Sequence, residues 1–104
     1  MKVYDKLVRD LIPDIISKDD AVCDIEICDK DELSKRLEDK LKEEVSEYLE
    51  DKNLEELADV MEVLFGLANS LGYSEEDLMK KREEKLALRG GFKKGIILKS
   101  VSKK

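Results

Sequence analysis

Three polar residues, Asp29, Asn53 and Ser74, each stand directly before a stretch with helical apolar spacing, and they constrain the fold more than any other feature. Asp29-x-x-Glu32 and Asn53-x-x-Glu56 have the form of capping boxes, in which a short polar side chain and a carboxylate satisfy the first backbone N–H groups of a helix. They predict helices over residues 30–51 and 54–71, the second ended by Gly72. Ser74 opens another long helix, about 75–88, which Gly90-Gly91 stops. With so short a break after Asp51, the two central helices must fold into a hairpin. Pro13 suits a first helical turn and predicts a short helix over 12–18. In VCDIEIC, residues 22–28, Cys23, Ile25 and Ile27 alternate with Asp24 and Glu26, the pattern of a half-buried strand. Gly95-Ile96-Ile97-Leu98 reads as a second short strand that could pair with the first. The expectation is a mainly α fold: a helical hairpin plus a third helix, with a small two-stranded β element at one edge.

With 104 residues the chain suits one domain, 1–104, whose modest core would gain from burial against a second subunit. No apolar run is long enough to span a membrane, and the opening MKVYDKLVRD is not that of a signal peptide. Cys23 and Cys28 lie five apart, on opposite faces of the expected strand, so they are expected to stay unpaired. A reducing cytoplasm is the expected setting.

Charge is distributed unevenly. Residues 43–62 hold nine acids against the single base Lys52, a net of −8, whereas residues 80–104 hold ten bases against two acids, a net of +8. Within the acidic stretch, Glu44 and Glu47 are three apart and share a helix face bordered by Leu37, Leu41, Val45 and Tyr48. Glu56 and Asp59 are again three apart, and Val63 and Leu67 continue their side. An antiparallel hairpin can bring the two pairs face to face. Four carboxylates in one space repel unless some bind protons or a cation enters. Oxygen-only ligation suits a hard ion, Mg²⁺ or Mn²⁺. The chain has no histidine, which excludes Glu-x-x-His di-iron sites, histidine-based zinc sites and histidine-dependent nucleophiles. A plainer account also fits: Glu44 pairs with Lys40 across one turn, Glu47 is solvated, and Glu56 caps a helix.

Glu44-x-x-Glu47 followed by Glu56-x-x-Asp59 resembles the acidic motif of the all-α nucleoside triphosphate pyrophosphatases, the MazG-like superfamily that includes phosphoribosyl-ATP pyrophosphatase. KLKEEVSEYLE and EELADVMEVLFGLANSLG look like its two metal helices. YDKLVRDLIPDII and REEKLALRGGFKKGIIL are similar to flanking segments of a small, single-domain, house-cleaning branch, so the resemblance covers nearly the whole chain. Only eight residues separate Glu47 from Glu56, fewer than in longer members, and the short loop leaves little room for substrate-specific contacts.

The resemblance implies that Glu44, Glu47, Glu56 and Asp59 bind Mg²⁺ and that the reaction splits a nucleoside triphosphate between its α and β phosphates, giving the monophosphate and pyrophosphate. Mg²⁺ would neutralise and polarise the phosphates. Glu43 and Glu47 are the candidates to orient the attacking water. Lys40 either holds a phosphate or pairs with Glu44. Arg82, Lys85 and Arg89 either contact the triphosphate or end a helix favourably. Lys6, Arg9 and Asp10 are read as a structural tie between the N-terminus and the sheet. A homodimer or homotetramer is expected, because the superfamily builds its bundles by association. Nucleic acid is disfavoured as a partner by the acidic balance and the lack of aromatics among the basic residues. Phosphoribosyl-ATP pyrophosphatase is the alternative enzyme, and a non-catalytic helical interaction module is the alternative of another class.

Overall fold

The computed structural model describes residues 1–103. Four helices follow in order: α1 (Ile12–Lys18), α2 (Lys30–Asp51), α3 (Leu54–Ser70) and α4 (Glu75–Arg89). Helix α3 stops one residue before the expected end and α4 runs one residue beyond it. The start signals act as read. Asp29 Oδ1 accepts the Glu32 N–H and Asn53 Oδ1 accepts the Glu56 N–H, each at 2.9 Å. Neither returning carboxylate bond of a full capping box forms among the described residues; Glu32 turns instead to Arg36, 3.5 Å away. The reciprocal box appears at α4, where Ser74 and Asp77 each accept the other's backbone N–H. After α3, Gly72 adopts φ 93°, and the Gly72 and Tyr73 N–H groups donate to the carbonyls of Asn69 and Ala68. These are the paired bonds of a Schellman ending.

Lys52 and Asn53 alone connect α2 to α3, and they set the hairpin's register. Ser34 and Ser70 share a hydroxyl hydrogen bond at its open end. Leu37 packs over Gly66, where an added Cβ would lie 3.0 Å from Leu37 Cδ2. Glycine there lets the helices approach closely. Each step forward along α2 is matched by an equal step back along α3. One heptad beyond Leu37 and Gly66, the same seam therefore sets Glu44 against Asp59. Helix α4 packs on α3 alone.

The expected β element is absent. Among the described residues no strand forms, and Val22, Ile25, Ile27, Ile96, Ile97 and Leu98 are exposed. A two-stranded ribbon is marginal without a packed face beneath it, and these segments have none within one chain. Cys23 and Cys28 are unbridged. Among the described residues no helix is long and apolar enough to cross a membrane.

Little of the chain is buried. Leu37, Val63 and Ala68 are the buried apolar residues among those described, with Glu44 beside them. The radius of gyration is 18.5 Å, against about 13 Å for a compact domain of this length. The accessible surface is 10057 Å², against about 6,000 Å² for a folded monomer of this mass.

Lys52 closes the hairpin in the left-handed region, φ 49° and ψ 52°, donating its N–H to Tyr48 at 2.7 Å. A side chain pays for that conformation and glycine does not. Lys52→Gly is expected to raise the unfolding free energy by about 1 kcal/mol in chemical denaturation; a loss of stability would show that the turn does not hold this shape.

Candidate metal centre

Helix α2 buries two residues, Leu37 and Glu44, one heptad apart on the seam. A carboxylate thus occupies a core position. Its Oε1 lies 3.1 Å from Lys40 Nζ, one turn earlier, while its Oε2 is buried with no hydrogen-bond partner among the described residues. Such an orphan costs roughly 1–3 kcal/mol or more when charged. Across the seam stand Glu56 and Asp59 at the start of α3. One carboxylate oxygen from each of Glu44, Glu56 and Asp59 lies within 4.8 Å of the other two. Glu56 Oε2 is likewise buried and unpartnered. A matching register opposes Glu47 to Glu56. Three hard oxygen donors converging from two helices, two of their oxygens unpartnered, fit a divalent cation such as Mg²⁺ or Mn²⁺.

The electrostatics follow from this crowding. Glu47 is exposed, and its pKa is raised chiefly by Glu44, to which it can donate a hydrogen bond only when protonated and which repels it when charged. The Glu56 carboxyl is also raised, first by loss of solvent and then by Asp59, Asp51 and Glu44. Desolvation would raise Glu43 too, yet its pKa is lowered, because Lys6 and Lys40 outweigh that effect. Burial works against the Lys40 ammonium, but the bond to Glu44 and the charge of Glu43 leave its pKa raised.

Of the four expected metal ligands, Glu44, Glu56 and Asp59 form the converging set, and Glu47 flanks it. Lys40 bridges Glu44 and Glu43, the latter at 3.4 Å. Arg82, Lys85 and Arg89 are not brought to the acids. Helix α4 packs against Met61, Leu64 and Phe65 of α3, where Arg82 helps line a cavity of about 190 Å³. At about 100° per residue, Met61 lies about 200° around α3 from Asp59, so this cavity and Arg82 lie across α3 from the site.

The cations at the site come from elsewhere. Arg9 Nη2 donates to Asp59 Oδ1 at 2.7 Å, and Lys6 Nζ donates to Glu43 Oε1 at 3.2 Å. The expected tie between these residues and a sheet is therefore corrected: they are tied to the acidic helices. Their place in YDKLVRDLIPDII was the one sequence signal for them, and helical spacing carries none across so many residues. No protein-family model, curated protein or solved structure matches the chain.

Glu47 and Glu56 both have folded-state pKa values above the ordinary 4.5. Each contributes stability that is fully present below 4.5 and is lost as pH rises through the folded value. Glu43, lowered, runs the other way and loses its contribution as pH falls below 4.5. The metal-free protein is thus expected to melt at a higher temperature at pH 5 than at pH 8. Mg²⁺ is expected to stabilise it more at pH 8. Calorimetric melting with and without Mg²⁺ checks both; a slope of opposite sign would mean that the acids do not share one field.

Proposed function

We propose that the chain is a Mg²⁺-dependent nucleoside triphosphate pyrophosphohydrolase of the MazG-like type. The observation that carries this reading is Glu44: a buried carboxylate, half unpartnered, placed by the hairpin register against Asp59 and Glu56. A solvated acidic face needs no buried member. A surface helix pair with an aliphatic residue at this position would be easier to fold.

Glu44, Glu56 and Asp59 would hold the cation, with Glu47 as a further oxygen donor at the edge. Bound there, Mg²⁺ supplies charge neutralisation and polarisation to a triphosphate. Water adds at the α phosphorus, the bond from that phosphorus to the α–β bridging oxygen breaks, and that oxygen leaves with pyrophosphate. Glu47 is the better placed of the two candidate bases. It is exposed, beside the converging set, and its raised pKa brings it nearer the working pH. Glu43 is held by Lys6 and Lys40. Phosphoribosyl-ATP is a substrate of the same chemistry, and a screen of nucleotides separates it from common triphosphates.

Glu44→Gln and Asp59→Asn are each expected to lower Mg²⁺-dependent pyrophosphate release at least a hundredfold while the helical circular dichroism persists. Full activity in both variants would remove the site assignment. If the wild type binds no Mg²⁺ in calorimetry and hydrolyses no nucleotide, the non-catalytic helical module becomes the better reading.

The exposed apolar surface supports a homo-oligomer. The total accessible surface exceeds that of a compact monomer by about 4,000 Å², and a stable interface takes roughly 800 Å² from each partner. Val45, Leu49, Leu54 and Leu57 stay exposed on the hairpin. A second hairpin laid over them would complete a four-helix bundle. Arg82, Lys85 and Arg89 would then meet the acids only as residues of another copy. Light scattering on the eluted protein is expected to give two or four times the chain mass of 12.0 kDa; a monomer would refute this part of the reading.

A further inference from the structure

The segment before α1 is attached to the helical hairpin by charge. Arg36 on α2 clasps Asp5, donating to its carbonyl at 2.9 Å and to its carboxylate at 3.3 Å. Asp5 is bent into the left-handed region, φ 43°, a conformation that an outside clasp must hold. From this anchor Lys6 reaches Glu43, and Arg9 reaches Asp59. Helix α1 buries no residue and makes no helix–helix contact among the described residues. A strap bound by such exposed polar bonds can exchange them readily, because surface ion pairs contribute little to stability.

Arg9 occupies a carboxylate of the converging set, and Lys6 occupies a carboxylate outside it. These two pairs respond differently to a cation. A divalent ion among Glu44, Glu56 and Asp59 takes the Asp59 charge and repels the guanidinium beside it. Arg9 stays close, since only three residues separate it from the Asp5 anchor and two from α1. A triphosphate held by the same ion brings anionic oxygens to this spot. The guanidinium fork matches them, and the Lys6 ammonium stands over Glu43, the residue next to Glu44 on α2.

We propose that Arg9 and Lys6 are the triphosphate-binding cations of the site, and that Arg9 holds Asp59 in the metal-free protein and passes to phosphate when the metal binds. This rests on the pyrophosphohydrolase reading and assigns to the N-terminal strap the contacts that α4 does not make within one chain.

The test compares wild type, Arg9→Ala, Arg9→Gln and Lys6→Ala in calorimetry, with helix content checked by circular dichroism. Mg²⁺ is titrated first alone, and then a non-hydrolysable triphosphate analogue is titrated in saturating Mg²⁺. Both Arg9 variants are expected to bind Mg²⁺ alone several-fold more tightly, because the competing guanidinium is gone. They are expected to bind the analogue at least tenfold more weakly. Lys6→Ala is expected to weaken analogue binding with Mg²⁺ affinity unchanged. A merely structural strap predicts no such opposition of sign: Mg²⁺ affinity unchanged or weaker in the Arg9 variants, or analogue binding unchanged, would overturn the proposal while leaving the pyrophosphohydrolase reading intact. Wild-type protein that binds no Mg²⁺ would overturn both.

Discussion

A carboxylate in a hydrophobic seam governs this molecule. Glu44 sits where the heptad spacing from Leu37 calls for an aliphatic residue, and it is buried there. Lys40 pairs with one of its oxygens, and the other has no hydrogen-bond partner among the described residues. Around this point the neighbouring charges are arranged in response. The Glu47 and Glu56 carboxyls are both pushed above their ordinary range, and cations arrive from α2 itself and from the chain's first residues. A hairpin built for stability alone would place none of these groups there.

Much of this was legible in the residues. Asp29, Asn53, Ser74 and Gly72 each mark a helix end by local chemistry, so the helices lie within a residue of their expected limits. The pairing of Glu44 and Glu47 with Glu56 and Asp59 follows from equal spacing on two antiparallel helices joined by a minimal turn. The strand reading at residues 22–28 and 95–98 failed for a different reason. Alternation describes which side chains a strand would bury, but burial needs a surface, and one chain offers none. Lys6 and Arg9 escaped the reading because their partners are remote in sequence. Periodicity reports on neighbours along an element and is silent about a strap crossing two of them.

The basic α4 shows how charge counts mislead. Its excess of Lys and Arg invites a match with the acidic helices, and α4 does follow α3 directly. Yet its packing residues Leu78 and Met79 meet Met61, Leu64 and Phe65, on the side of α3 turned away from Asp59. Apolar contact chose the face, and the charges followed it.

The two-residue turn at Lys52 and Asn53 has a consequence for how the protein comes to be folded. All four acids lie between Glu44 and Asp59, so they meet through local chain closure. Helix pairs of this kind assemble early and quickly, since little loop entropy is lost in bringing them together. The repulsion among the carboxylates is therefore met near the start of folding. Protons or a divalent cation that relieve it would act on the folding rate itself, and the nucleus of the fold would coincide with the site.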